Sequence, residues 1–293
     1  MKAANSTLKM DNDLYIKDGT PINDIYARVV ENIFGATLES VDFRNKMEEV
    51  VRMINDKISR NTNGLIKNFI KASAVDLNTD LMSVNSFYYK GAWKEPFEEE
   101  TEKKTFYAVS GPVEVDMLKS ADRSVFVKDV PSLNLKIFVK ILLDTNFKLV
   151  IVTTRDAKTP LSKVEETIRS KQYNFLGQLD NGYKVSSTFY MPYVSEEFAV
   201  DLLDILEDKL SCWIDKGIDN IVQGVHLPVA KIRHKVKLEI AAKGIEGAAV
   251  TGSELGIRMA PNKNEIVVNR PFLYFIIHAD GPILFKGRYV GPS

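Results

Sequence analysis

The strongest constraint on this chain is the order in which its two kinds of hydrophobic pattern occur. After Pro21, the residues Ile22, Ile25, Val29, Ile33 and Phe34 recur at three- and four-residue steps and stop at Gly35. Met47, Val50, Val51, Ile54 and Ile58 repeat the pattern ahead of Asn63-Gly64. Both are expected to be amphipathic helices. From Lys235 onward almost every stretch is β-rich instead: Val236 to Ala241, Glu265 to Val268, Phe272 to His278 and Ile283 to Val290. Between these ends, Leu81 to Tyr89 reads as a buried strand, and Leu135 to Leu143 and Phe147 to Thr153 flank the turn residues Asp144, Thr145 and Asn146 as a hairpin. Residues 160 to 176 and 197 to 210 read helical. Helices ahead of strands, with no βαβ alternation, imply an α+β fold with large, mainly antiparallel sheets.

Charge narrows the partners. The 39 Lys and Arg residues are matched by 39 Asp and Glu, which removes long-range attraction to nucleic acid or to an anionic membrane. The run Glu98, Glu99, Glu100 is followed by Glu102, Lys103 and Lys104 and reads as a solvated loop. No stretch approaches the roughly 18 apolar residues of a membrane span, and Met1 is followed by Lys2, Asn5 and Lys9 with no apolar signal core. The lone Cys212 forms no internal disulfide. These features favour the cytoplasm over secretion. No linker or composition shift divides the chain, so a single domain over residues 1–293 is expected.

The residue types of familiar catalytic and metal sites do not assemble. His226, His234 and His278 are the only histidines, and no zinc spacing includes them. Gly252-Ser253-Glu254-Leu255-Gly256 places its serine one position too early for a nucleophile elbow. Cys212, beside Trp213, has no histidine near it in sequence and reads as a packed thiol. The expectation is a protein that is not an enzyme, with no metal and no cofactor.

The segment from Ala242 to Arg270 is about twice the length at which an unstructured connection becomes unusual, roughly 12–15 residues. Read with period two, Ile245, Gly247, Ala249, Thr251, Ser253, Leu255 and Ile257 carry no charge, while Glu246, Glu254 and Arg258 all fall on the other face. A loop sorted this way is able to become a strand with one face buried.

Within it, Lys243-Gly244-Ile245-Glu246-Gly247-Ala248-Ala249-Val250-Thr251 resembles the hinge of the reactive-centre loop of serpins. Upstream, Leu227 to Lys235 resembles the family's strand carrying a histidine-lysine pair. Downstream, Asn269 to Leu273 and Pro282 to Arg288 look like its two closing strands. Ile54-Asn55, Thr62 to Ile66, Val84 to Trp93 and Phe97 match the family in order and spacing. The resemblance implies a serpin fold with a C-terminal exposed reactive-centre loop. It implies inhibition of a serine endopeptidase by loop cleavage, acyl-enzyme trapping and loop insertion.

The family spacing from Gly244 puts the scissile bond at Arg258-Met259. Arginine there implies a trypsin-like target, with a cysteine protease as the cross-class alternative. Gly244, Ile245, Glu246, Gly247, Ala248, Ala249, Val250 and Thr251 would form the hinge, while Asn85, His234 and Trp93 would control opening of the sheet. Lys231, Arg233, Lys235 and Lys237 alternate along one strand face, read as solvated, with a polyanion site as the alternative. Ala242, Ile245 and Gly247 depart from the family's inhibitory hinge, and the competing function is a non-inhibitory binding, carrier or chaperone role, or an inactive shortened isoform. The matched blocks start at the family's second strand of the main sheet, leaving helices A to D without counterpart. Apolar surface is expected to lie uncovered as a result, and the full-length form is expected to be a monomer.

Overall fold

The computed structural model describes residues 7–120, 125–156, 158–170, 183–185, 187–206, 218–222, 225–227, 229, 231–245 and 265–292. In chain order its strands are β1 (Thr7–Lys17), β2 (Thr37–Val41), β3 (Leu81–Ala92), β4 (Glu102–Ala108), β5 (Gly111–Ser120), β6 (Val125–Val130), β7 (Leu135–Ile141), β8 (Phe147–Thr154) and β9 (Tyr183–Val185). There follow β10 (Thr188–Pro192), β11 (Val194–Asp201), β12 (Ile218–Val222), β13 (Val225–Leu227), β14 (Lys231–Ala241), β15 (Gly244–Ile245), β16 (Glu265–Val267), β17 (Phe272–His278) and β18 (Ile283–Tyr289). The α-helices are α1 (Asp24–Phe34), α2 (Met47–Asn61) and α3 (Leu161–Ser170). Two compact units emerge, one of Leu8–Tyr89 with Glu196–Leu238, the other of Lys90–Ser195 with Glu239–Ser293 and the first seven residues. Strands β1, β3, β11 and β14 contribute residues to both.

In the first unit the strands run in the order β11, β14, β3, β1, β2. The pairings β1–β2 and β3–β14 are parallel. Helix α2 forms where the sequence pattern puts it. Glu48 and Glu49 in its first turn and Arg60 in its last complement the helix dipole. Its buried side, Val50, Val51, Ile54 and Ile58, packs with Phe43, Ile66, Phe69, Ile70, Met82 and Val84. Asn55 fixes the chain beyond it, donating to Ile70 O and accepting from Ile70 N, both at 2.9 Å.

Helix α1 stops at Gly35 as expected, with φ 59°, and begins at Asp24, where the Asn23 side chain accepts from Ile25 N, leaving Ile22 outside the helix. Its apolar stripe is nevertheless uncovered among the described residues. Ile25, Ile33 and Phe34 are 68%, 70% and 67% exposed, and Val30 is the buried residue of the helix. Leu8 and Met10 of β1 are exposed as well.

The second unit contains two further sheets. One is ordered β16, β10, β5, β4; the other is ordered β18, β17, β8, β7, β6, β9, with every described pairing antiparallel. The β7–β8 hairpin is present as expected. Leu161 and Val164 of α3 pack on Val150, Val152, Leu273 and Phe275.

Two sequence expectations need correction. Residues 197–201 belong to strand β11; the helical stretch that follows covers 202–206. Residues 171–176 and 207–210 lie outside the described residues, as do Cys212 and Trp213. The basic row of β14 is not a freely solvated face. Lys231 and Arg233 lie 3.4 and 3.7 Å from Asp201, and the buried Lys235 lies 2.7 Å from Glu197. Strand β11 therefore carries the counter-charges, which neutralises most of the row as a polyanion site and explains why its Glu-rich sequence pairs as a strand despite helix-forming composition.

Candidate functional site

Ala242 and Lys243 make a tight turn that folds β15 back along the end of β14, pairing Ala241 with Gly244 and Ile240 with Ile245. The other edge of β15 pairs antiparallel with β3, Gly244 to Ala92 and Ile245 to Gly91. Two residues thus form a strand between β3 and β14. The approach is so close that a Cβ added at Gly244 would lie 2.4 Å from Gly91 O. Only glycine fits there without displacing backbone. Ile245 is fully buried.

Trp93 closes this end. Its Nε1 donates to Ala241 O at 2.8 Å, and its ring meets Phe97 edge-on with centroids 5.7 Å apart. Phe97 N donates to Ala242 O at 3.0 Å. The buried Lys140 sets its ammonium 4.5 Å from the Phe97 ring centroid and 5.6 Å from that of Trp93, a cation–π arrangement in a desolvated setting. Lys243 pairs with Glu99 at 2.9 Å across the turn. Sequence reasoning found Trp93 by resemblance; nothing in the sequence marked Lys140.

In the first unit β3 and β14 pair directly, from Met82 with Lys231 to Phe87 with Val236. Asn85 and His234 face each other in this register, with His234 Nδ1 2.7 Å from Asn85 Oδ1. A neutral imidazole protonated on Nδ1 donates to that oxygen. The Asn85 amide group turns the other way, donating to Asp11 O at 3.4 Å and to the Asn12 side chain. Ser86 Oγ donates to Asp11 at 3.1 Å, and Asn61 donates to the same carboxylate at 2.8 Å. One polar network therefore spans β14, β3, β1 and α2. Burial pulls the His234 pKa below its ordinary value and favours the neutral ring. Asp11 and Asn12 were invisible to sequence reasoning.

Strand β16 resumes the described chain beyond residue 264. It pairs in parallel with β10, and Val268 N donates to Tyr190 O at 2.9 Å. Lys104 bridges Glu102 and Glu265, each at 3.2 Å, and sits 3.9 Å above the Tyr190 ring. Of the residues singled out from sequence, Gly244, Ile245 and Trp93 come together in the second unit, and Asn85 with His234 in the first. Glu246, Gly247, Ala248, Ala249, Val250, Thr251, Arg258 and Met259 lie outside the described residues. Among the described residues no His, Cys, Asp and Glu group is arranged to hold a metal, and no helix is long and apolar enough to cross a membrane.

Comparison with known proteins agrees with this geometry. A family model described as "Serpin (serine protease inhibitor)" matches residues 1–292. Human Serpin B11 is 26% identical over 305 residues, covering 99% of this chain and 75% of the relative. Antichymotrypsin-2 of Bombyx mori is 28% identical over 290 residues, covering 96% and 76%. Among solved structures, Serpin48 of the insect Tenebrio molitor superposes with a TM-score of 0.80 at 22% identity, covering 99% of this chain and 77% of that one. The chain spans about three quarters of the length of these relatives.

Proposed function

This chain belongs to the serpin family, and on that premise we propose that it inhibits a trypsin-like serine endopeptidase by a cleave-and-insert mechanism. The protease attacks the bond between Arg258 and Met259 and forms an acyl-enzyme on the Arg258 carbonyl. Arg258 suits a specificity pocket whose carboxylate takes a guanidinium by paired hydrogen bonds. Residues 246–257 then extend β15 between β3 and β14, and the tethered protease is carried away from its working geometry.

The observation that supports this reading is β15 itself, a two-residue strand between β3 and β14 that leads directly into the uncharged face of Gly247, Ala249, Thr251 and Ser253. About a dozen inserted residues at a net 0.5–1.5 kcal/mol per hydrogen bond release on the order of 10 kcal/mol. A single oxyanion-hole donor contributes about 3 to 4 kcal/mol to a protease, so the release is large enough to distort the hole. Asn85 and His234 hold the path closed beforehand, Trp93 braces its entrance, and Gly244 keeps the entrance narrow.

The test is incubation with trypsin followed by denaturing electrophoresis and sequencing of the released fragment. A band at the summed mass that survives detergent, and a fragment beginning at Met259, are expected. Cleavage without any stable complex would remove the inhibitory reading, and a fragment beginning elsewhere would move the reactive bond.

A further inference from the structure

Beside β16, within the second unit, lies a cavity of about 290 Å³ that the inhibitory reading does not use. Its lining carries four charged groups, Lys136, Arg155, Arg270 and Glu265. Two of them are already compensated. Arg155 Nε lies 3.3 Å from Asp129, and Glu265 lies 3.2 Å from Lys104. Among the described residues Lys136 and Arg270 have no carboxylate partner. The cavity thus holds two surplus positive charges.

Its other polar groups reinforce that bias. The hydroxyl proton of Thr153 is given to Pro271 O at 2.8 Å, and that of Thr154 to Asp156 O at 2.7 Å. The donors left in the lining are then the cationic Lys136 and Arg270 together with the amide of Asn269. Arg270 Nη1 donates to Arg155 O at 3.3 Å, which orients the guanidinium and leaves most of its five donors free. Lys136 stands opposite Thr153 in the β7–β8 register, so it projects from the sheet beside the same wall. The buried Phe138 and Val268 supply a short apolar floor.

We propose that this cavity binds a tetrahedral oxyanion, a phosphate or sulfate group, held between Lys136 and Arg270. Two unmatched cations balance a dianion, and a planar guanidinium opposite an ammonium is a recurrent way to grip one. The volume lies just below the roughly 300–1,000 Å³ of drug-sized sites, so the ligand is the free ion or a small ester that adds a short apolar body against Phe138. The position gives binding a consequence: Lys136 belongs to β7 and Arg270 follows β16, so a bound anion ties the segment beyond the 246–264 stretch to the six-stranded sheet and opposes release of β16.

Thermal unfolding of the protein in sodium phosphate, against sodium chloride at matched ionic strength, reads this directly. A saturable rise of Tm in phosphate is expected, with Lys136→Met and Arg270→Met each raising the half-saturating concentration by roughly tenfold or more. Equal half-saturation by phosphate and phenyl phosphate assigns the site to the free ion; tighter phenyl phosphate assigns it to an ester. The same Tm in both salts, or an undiminished response in the double variant, overturns the proposal. If the variants do not fold, phosphorus-31 line broadening of phosphate by the parent protein decides the matter, with sulfate expected to reverse it and no broadening counting against the site.

Discussion

Strands β3 and β14 have different neighbours at their two ends. From Met82 to Phe87 and Lys231 to Val236 they pair with each other in parallel, and Asn85 with His234 bridges them by side chains. At Gly91–Ala92 and Ile240–Ala241 each pairs antiparallel with β15, and the side chain that matters there is the one Gly244 lacks. Parallel pairing is slightly less stable per residue than antiparallel pairing. A strand growing out of β15 would exchange one parallel seam for two antiparallel ones. On the proposed mechanism the closed end is held by specific polar contacts, whereas the entrance needs only room for backbone.

The largest effect is expected from a charge placed on the inserting face. Thr251→Arg should abolish the detergent-stable complex with trypsin while Arg258-Met259 remains cleavable, because an unpaired buried cation opposes insertion. Electrophoresis at matched cleavage measures it, and equal complex yield from parent and variant would end the period-two argument.

Next come two substitutions that should act with opposite sign. Asn85→Ala strips His234 and the β1 contacts of a partner, costing the uncleaved protein about 1–3 kcal/mol, and should speed insertion after cleavage. Gly244→Ala drives a methyl into Gly91 O at a cost of about 1–3 kcal/mol and should slow it. The rate at which cleaved protein gains urea resistance reads both; a shift in the same direction would mean that the two ends do not oppose each other.

Trp93→Phe should cost less, about 0.5–1.5 kcal/mol, by leaving Ala241 O without its donor. The urea midpoint measures it.

The smallest effect is that of pH. Burial lowers the His234 pKa from 6.5, so between that value and the lower folded one the unfolded chain binds the extra proton. Its contribution to stability is then complete above about pH 6.5 and is lost as pH falls toward the folded value. The urea midpoint of the parent should drop over that range by more than that of His234→Gln. Parallel profiles would assign the pH response to other groups.

Much of the entrance was legible because it is local. A glycine, the apolar Ile245 and an alternating pattern sit within one run of sequence, and helix α2 could be read the same way. The closed end was only half legible. Resemblance pointed to Asn85 and His234, but Asp11 and Asn12 reach Asn85 from more than 70 residues away, and no spacing rule connects them. At α1 periodicity identified the apolar stripe of Ile25, Val29 and Ile33 correctly, yet a stripe says nothing about what covers it. At β11 the composition of Glu196, Glu197 and Ala199 favours a helix, and the pull of the β14 cations through Glu197 and Asp201 decides for a strand.

The two residues of β15 have a kinetic consequence. A loop that had to find the slot between β3 and β14 would begin with a search, whose entropic cost rises with the logarithm of the chain length to be closed. Gly244 and Ile245 are already registered on both sides, so the proposed insertion starts as propagation from a formed seed. Its speed would then depend on how fast the next rung separates, and the first rungs beyond β15 would set the clock against which the bound protease must escape.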